Sequence, residues 1–292
     1  MYESFYGLRE KPFSLTPDPA FLYPTRSQLM ALTLLEYGLA NHAGFSLVTG
    51  EVGSGKTTLI RHWLNQLDKS AVVGLITNTN RSFGKLLQWV CVAFGLEHKG
   101  KDDAALYETF VEFLVSQYGR GRRVTLIVDE AQNLDLAMLE ELRVLSNINA
   151  DKHLVLQTFL VGQPELRETL KQPALRQFAQ RISVDYHLPV LSLIEAYHYV
   201  RHRLQVAGGN ADLIRGDAIH AAHAAAGGVP RLINQLCDTA LVYAFAEQLP
   251  CVEAPLMNQV IADRQRGGLW TVAPANAPAT AVAQESAPFA TL

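Results

Sequence analysis

The sequence predicts an α/β protein, in which helices cover both faces of a parallel β-sheet, followed by a region made of helices alone. Short continuous apolar runs, typical of strands buried on both faces, alternate with segments that carry apolar residues at helical spacing. From about Ser192 onward the helical spacing continues and the strand pattern stops. A glycine-rich loop, Gly50–Thr57, joins the first predicted strand to the helix that follows it.

The predicted elements follow one another in a regular order along the chain. Residues 1–43 form an amino-terminal segment that is rich in turns around Pro12–Pro19 and then shows helical apolar spacing from Leu29 to Leu39. Strands are predicted after it at residues 44–49, 71–76, 124–128, 154–161 and 182–187. Helices are predicted at residues 58–64, 86–94, 106–118, 192–206, 217–226, 230–247 and 254–266.

Changes in composition divide the chain into regions. The amino-terminal segment, residues 1–43, leads into the α/β core at residues 44–190, and a small helical domain covers residues 191–266. Residues 267–292 are rich in alanine and proline and hold few bulky apolar side chains. Because such a segment cannot bury enough apolar surface to fold, we expect a disordered tail or a tether there.

Composition and charge limit the cellular context of the chain. Its net charge of -3 over 292 residues shows no general basic excess, so DNA binding is neither supported nor excluded. The 3 cysteines are few and far apart, which favours the reducing cytoplasm over a disulfide-forming compartment. The amino terminus lacks the apolar stretch of a signal peptide, and prolines interrupt the longest uncharged stretch, 267–284. We expect no membrane span, so attachment to a membrane requires a partner.

The loop between the first strand and its helix matches the pattern G-x-x-x-x-G-K-[ST] and predicts a nucleoside triphosphate site. Glycines let main-chain N–H groups approach phosphate oxygens closely, and the following helix N-terminus attracts their negative charge. Lys56 supplies positive charge to the β- and γ-phosphates, and the Thr57 hydroxyl can ligate Mg²⁺. The alternative is a glycine-rich turn that matches by chance. The predicted nucleotide-binding residues are Gly50, Glu51, Val52, Gly53, Ser54, Gly55, Lys56, Thr57 and Thr58.

Two carboxylates follow the third predicted strand, at the sheet edge where the glycine-rich loop also opens. Ligands of open α/β sheets collect at this edge, the carboxyl ends of the strands. Asp129 is placed to hold Mg²⁺ directly or through water, and Glu130 to polarise a water for attack on the γ-phosphate. The alternative is a solvated acidic turn after a core strand.

Further polar residues stand at positions from which they could reach a triphosphate. Gln163, after the fourth strand, is a candidate to contact the γ-phosphate or the attacking water, although a strand-ending turn would explain it equally. Arg176 and Arg181 precede the fifth strand, and we favour one of them, Arg181 slightly ahead, as the arginine that reaches a neighbouring subunit's nucleotide; the alternative is two exposed helix arginines. Arg231 lies in the first turn of a helix, where its charge is mildly disfavoured, which makes it a candidate to contact the nucleotide; a surface salt bridge is the alternative.

Several of these motifs together resemble those of the AAA+ ATPases of the general secretion pathway protein A (ExeA) type. The likeness covers roughly residues 1–266 and includes the opening of the chain, Tyr6–Pro19. The other matching segments are the glycine-rich loop, Val128–Gln132, Leu160–Leu166 and Gly228–Arg231. This combination is far more specific than the glycine-rich loop alone.

The resemblance implies a P-loop sheet with strand order 5-1-4-3-2, a helical lid, and the cofactors ATP and Mg²⁺. It implies a homo-oligomer, a ring or partial ring, with nucleotide at subunit interfaces. It also implies nucleotide-binding and catalytic roles for Lys56, Thr57, Asp129, Glu130 and Arg231. Secretion members of the family carry a membrane span and a periplasmic part, and we expect neither from the pattern of this sequence. Its length is more similar to the short relatives that serve the mannose-sensitive haemagglutinin (MSHA) pilus.

The leading hypothesis is therefore an ATPase that converts ATP and water to ADP and phosphate and assists assembly of a secretion or type IV, MSHA-like pilus apparatus. Its partners would be envelope secretion or pilus assembly proteins, which would bring it from the cytoplasm to the inner membrane. A DNA-associated regulator of the transposition type is the second hypothesis, because similar ATPase cores polymerise on duplex DNA. The third is a nucleotide switch with little hydrolysis.

Overall fold

A five-stranded parallel β-sheet forms the centre of the computed structural model, which describes residues 1–16, 18–68, 71–77, 85–150 and 153–268. The strands are β1 Phe45–Gly50, β2 Val72–Ile76, β3 Val124–Val128, β4 Leu156–Gly162 and β5 Ile182–Leu188. Their order across the sheet is β2-β3-β4-β1-β5. The predicted α/β class and the strand order implied by the family resemblance are both confirmed.

Helices flank the sheet and complete the chain. They are α1 Tyr2–Phe5, α2 Arg26–Ala40, α3 Lys56–Gln66, α4 Leu86–Ala93, α5 Asp103–Gly119, α6 Leu136–Leu145, α7 Pro164–Leu170, α8 Arg176–Ala179, α9 Leu193–Val206, α10 Gly216–Ala226, α11 Pro230–Ala246 and α12 Ala254–Arg266. Short 3₁₀ turns lie at Pro19–Phe21, Ala131–Asn133 and Pro173–Leu175. Most predicted elements agree with these bounds to within a few residues.

The fourth strand begins later than the sequence pattern predicts. The apolar run suggested residues 154–161, but β4 begins at Leu156. His153–Leu154 instead pairs with Asn149–Ala150 in a short antiparallel hairpin. Local pattern could not separate His153–Leu154 from β4, because the apolar run Leu154–Leu156 continues from one strand into the other without a break.

Alternate residues of the central strands enter separate apolar cores on the two faces of the sheet. Leu126 and Val128 of β3 pack in the core formed with α4, α5 and α6, whereas Ile127 between them packs in the core formed with α2 and α3. In the second core Trp63 is fully buried, with its ring centroid 4.8 Å from that of Phe159. Burial on both faces explains why the strands are continuously apolar.

A third core joins α9 to α12 with the amino-terminal segment. Tyr2, Leu8 and Phe13 are buried among the helices of this region. The hydroxyl of Tyr2 donates to Asp238 at 2.5 Å, and Arg203 donates from Nε to the carbonyl oxygen of Pro12 at 2.5 Å. The segment that precedes the sheet thus packs on the carboxy-terminal helices before α2 returns to the sheet. The division into the regions predicted from sequence stays a prediction.

The predictions about the chain terminus and the membrane have different outcomes. The expected tail, 267–292, falls outside the described residues apart from Gly267 and Gly268. Among the helices of the described residues, none combines the length and apolar character needed to cross a bilayer.

Candidate nucleotide-binding site

The loop between β1 and α3 has a backbone that depends on its glycines. Gly53 and Gly55 have φ angles of 81° and 98°, in the left-handed region that disfavours residues with a Cβ. At Gly50 an added Cβ would lie 2.8 Å from the carbonyl oxygen of Leu188 and 2.8 Å from Ser54 Oγ. Helix α3 begins at Lys56, directly after the loop, so its N-terminal N–H groups face the space above the loop.

Lys56 is folded back over this loop. Its Nζ donates to the carbonyl oxygens of Gly50 at 2.7 Å and Glu51 at 2.9 Å, and the residue is only 6% exposed. Burial lowers the pKa of Lys56, and the nearby Glu130 and Asp129 carboxylates partly oppose that shift. The ammonium group therefore lies in the cradle with little solvent to stabilise its charge, a setting that favours an anionic ligand.

Thr57 and Asp129 place two oxygen atoms side by side at the end of β3. The Thr57 hydroxyl donates to Asp129 Oδ2 at 2.9 Å, while Asp129 Oδ1 accepts from the Glu130 N–H at 2.9 Å. Asp129 is 5% exposed, and burial raises the pKa of its carboxyl group. A hydroxyl beside a carboxylate is a donor set that Mg²⁺ accepts, and a cation here would favour the ionised form that burial disfavours. The residues therefore fit the implied metal.

Glu130 lies at a strained turn and is held by two amides. Its φ angle is 54°, which is uncommon for a residue with a side chain. Glu130 Oε2 accepts from Gln132 Nε2 at 2.5 Å and from Gln163 Nε2 at 3.2 Å. The structure thus brings the predicted residues Glu130 and Gln163 together, and Gln132 joins them. The sequence pattern did not single out Gln132, although its place two residues after Glu130 was a usable signal.

Arg231 lies against the loop from the side of the helical region. Pro230 begins α11, so Arg231 stands in its first turn as predicted. The Arg231 N–H donates to the Gly53 carbonyl oxygen at 3.2 Å, and a Cβ added at Gly53 would lie 2.5 Å from Arg231 Cβ. The helical region therefore touches the glycine-rich loop through main chain as well as side chain.

These groups surround one cavity of about 180 Å³. The predicted residues that line it are Val52, Gly53, Ser54, Gly55, Lys56, Thr57, Thr58, Glu130, Gln163 and Arg231. Its wall continues with residues that sequence reasoning missed, among them Phe21, Leu22, Tyr23, Tyr199, Arg203 and Asn234. They come from the amino-terminal segment and from α9 and α11, far from the motif in sequence. No local pattern could have brought them together.

Arg203 fixes the amino-terminal part of this wall. It is 6% exposed and donates to the carbonyl oxygens of Pro12 and Ser14 and to the Tyr199 hydroxyl. Its guanidinium carbon lies 4.7 Å from the centroid of the Phe21 ring. These contacts connect α9 to the segment that lines the cavity.

A second polar cluster borders the loop at β5. Arg167 Nε donates to Thr49 Oγ1 at 2.6 Å, and that oxygen lies 3.1 Å from His187 Nδ1. Burial lowers the pKa of His187, and the positive charge of Arg167 adds to this effect. The neutral imidazole is therefore the form that the fold favours.

Neither Arg176 nor Arg181 is among the described residues that line the cavity. Arg181 stands just before β5, whose Ile182 pairs with Phe45 at the opposite end of β1 from the loop. Arg181 donates from Nη1 to Ser146 Oγ at 2.9 Å and to Asn147 Oδ1 at 2.6 Å. Arg176 is exposed on α8. Their action on a neighbouring subunit stays a prediction.

The fold and the cavity define a P-loop protein of the AAA+ class. The family profile for an AAA domain matches residues 39–170. The chain is also 44% identical over 247 residues to general secretion pathway protein A of Aeromonas hydrophila, a match that covers 84% of this chain and 45% of that protein. The chain thus spans less than half of this relative. The chain thus contains an AAA domain and is similar, over most of its own length, to general secretion pathway protein A.

Solved structures share the fold at low sequence identity. The Aeropyrum pernix ORC2 protein in its ADPNP-ADP complexes is similar with a TM-score of 0.64 and 18% identity, covering 88% of this chain and 72% of that one. The Thermotoga maritima RuvB Holliday junction branch migration motor is similar with a TM-score of 0.52 and 16% identity, covering 82% and 69%. These likenesses support the architecture and nothing more specific.

Proposed function

We propose that the protein binds ATP with Mg²⁺ and hydrolyses it. The observation that carries this proposal is that Lys56, Thr57 and Glu130 line one cavity, and that the buried Asp129 lies directly behind Thr57 and accepts a hydrogen bond from its hydroxyl at 2.9 Å. A triphosphate supplies negative charge to the buried ammonium, and its divalent ion supplies positive charge to the buried carboxylate. The cavity therefore matches both charges of the ligand.

Each residue has a separate part in the proposed hydrolysis. Main-chain N–H groups of the loop and Lys56 bind and orient the β- and γ-phosphates. Mg²⁺, when held through Thr57 and Asp129, neutralises charge on the phosphate oxygens. Glu130 accepts a proton from the water that attacks the γ-phosphorus, and Gln163 orients the water or a γ-phosphate oxygen. Arg231 contacts the phosphates from the helical region.

The amino-terminal segment and the helical region supply the proposed site for the base. Phe21, Leu22 and Tyr23 form a largely apolar wall at one side of the cavity, while the glycine-rich loop and Glu130 form the polar side. A nucleotide laid along the cavity with its phosphates on the loop would place the adenine between this wall and α9. Binding would then join three parts of the chain.

Replacing Glu130 separates binding from hydrolysis. The Glu130→Gln protein should retain magnesium-dependent ATP binding by calorimetry and lose at least about 10²-fold in turnover, because general base catalysis contributes about that much. Glu165→Gln is the matched control, since Glu165 is an exposed carboxylate in the first turn of α7. Unchanged turnover in Glu130→Gln would remove the assigned base. Binding without turnover in the unaltered protein would favour a nucleotide switch.

We further propose that the protein forms a homo-oligomer in which Arg181, or Arg176 in its place, reaches the neighbouring subunit's nucleotide. The exposure of Arg176 and the distance of both arginines from their own cavity support action between subunits. Arg181→Ala and Lys56→Ala proteins should each be inactive, and mixing them should restore some turnover, because mixed interfaces then contain one intact site. Failure of every such mixture, including those with Arg176→Ala, would contradict the proposal.

The cellular role that we propose is assistance to a secretion or MSHA-like pilus apparatus at the inner membrane through partner proteins. The likeness to general secretion pathway protein A supports it. Capture of Glu130→Gln protein from its native cell should recover envelope assembly proteins. Recovery with the nucleoid, together with a salt-sensitive rise in turnover on duplex DNA, would favour the DNA-associated alternative instead.

A further inference from the structure

Gln132 connects two groups of the proposed hydrolytic site. Its Nε2 donates to Glu130 Oε2 at 2.5 Å, while its Oε1 accepts from the Gln163 main-chain N–H at 3.0 Å. Gln163 in turn donates from its own side chain to the same Glu130 oxygen at 3.2 Å. The carboxylate at the end of β3 and the residue at the start of α7 are thereby linked through one side chain.

The surrounding backbone is shaped for this link. A Cβ added at Gly162 would lie 3.0 Å from Gln132 Oε1 and 2.9 Å from Leu166 Cδ2. Glycine at this position therefore lets the Gln132 amide approach the end of β4. The left-handed backbone at Glu130 begins the turn that returns Gln132 toward the carboxylate.

The link has a chemical consequence for Glu130. Two amide donors meet its Oε2 and hold the carboxylate in one orientation. Gln163 is the amide that the proposed function assigns to the γ-phosphate or water, whereas Gln132 faces the protein on both of its polar ends. When Gln163 engages its ligand, Gln132 can keep Glu130 oriented.

We propose that Gln132 is a positioning residue that orients Glu130 toward the attacking water and couples this orientation to Gln163. This inference rests on the proposed ATP hydrolysis. It assigns a role to a residue that touches neither the phosphates nor the metal ligands, and it predicts that Gln132 acts on the chemical step rather than on ATP binding.

Gln132→Met tests the inference because methionine keeps the length of the side chain and removes both polar ends. It should lower kcat by about 10²-fold, as misplacement of a catalytic group does, with KM and the Kd for magnesium-ATP changed less than about threefold. Asn133→Ala, an exposed change in the same 3₁₀ turn, should leave kcat unchanged. Gln132→Glu keeps an acceptor for Gln163 and loses the donor to Glu130, so it should also lower kcat even if the methionine variant fails to fold.

A double-mutant cycle tests the coupling. Gln132→Met with Gln163→Ala should lower kcat by much less than the product of the two single effects, because residues that act as a unit are non-additive. Wild-type kcat in a folded Gln132→Met protein, or fully multiplicative effects, would overturn the inference. The Glu130→Gln protein, measured in the same series, distinguishes failure of this inference from failure of the proposed function. Loss of its turnover would support the proposed hydrolysis whatever the Gln132 variants do, whereas unchanged turnover would contradict the proposed function itself.

Discussion

Substitution of Gly53 by alanine tests whether α11 lies on the glycine-rich loop in solution. Gly53 has a φ of 81°, and its added Cβ would lie 2.5 Å from Arg231 Cβ and 3.2 Å from Arg231 Cδ. The long side chain could move aside, but Arg231 Cβ is fixed to the first turn of α11. The loop or the helix must therefore shift.

The expected loss can be separated into two parts. Left-handed backbone costs an L-residue about 1–2 kcal/mol, and overpacking costs typically about 1–3 kcal/mol more. Gly121→Ala is the matched control, since Gly121 has a φ of 68° and open space around its added Cβ. The two variants share the first cost, so Gly53→Ala should lose about 1–3 kcal/mol more than the control. At about 2–4 °C per kcal/mol, its Tm should fall about 2–12 °C further.

Thermal and urea unfolding of the nucleotide-free proteins would measure this difference. Arg231→Gly removes the Cβ that the new methyl group meets, so in its background Gly53→Ala should cost no more than Gly121→Ala. Equal costs of the two alanine variants in the unaltered protein would refute the reasoning, because α11 would then lie away from the loop without nucleotide.

Further predictions concern buried charge. Asp129→Asn should raise the stability of the nucleotide-free protein near pH 7, because burial raises the Asp129 pKa and disfavours its ionised form. Magnesium-ATP should no longer raise the Tm of this variant. Burial lowers the pKa of His187, so the neutral imidazole contributes fully to the free energy of unfolding above about pH 6.5, and this contribution falls as the pH decreases. Urea unfolding should therefore show that the His187→Asn protein loses less stability on acidification than the unaltered protein does. Arg203→Met should cost about 1.5–3 kcal/mol and speed proteolysis of the amino-terminal segment, because buried carbonyl oxygens lose a charged donor. Arg201→Met, which removes a partly exposed ion pair with Asp212, should change the free energy of unfolding little.

Local pattern predicted the sheet well, and the reason is visible in β1 and β3. Both strands are buried on the two faces, so apolar runs beside Gly50 and Asp129 marked their ends closely. Parallel strands place these ends at one edge of the sheet, which is why the sequence alone could assign Lys56, Thr57 and Asp129 to one site. Strand order came from the family resemblance rather than from local pattern.

Pattern failed where contacts join distant parts of the chain. Phe21 and Arg203 meet at the cavity although most of the chain separates them, and nothing near either residue marks the other. Gln132 is close to the acidic pair, yet its role depends on a left-handed turn at Glu130 and on the small size of Gly162. Such tertiary conditions leave no periodic signal in the sequence.

The electrostatics of the cavity explain why nucleotide and metal should bind together. Burial shifts the pKa values of Lys56 and Asp129 in opposite directions, and both shifts favour the neutral form. A triphosphate alone stabilises the charged form of Lys56 but brings more negative charge toward Asp129 and Glu130. A cation alone stabilises the ionised form of Asp129 but repels Lys56. A complex of the two satisfies both residues at once. Arg231 and the wall formed by Phe21, Leu22 and Tyr23 border the same cavity. The free energy of nucleotide binding therefore also favours the packing of the helical region on the sheet.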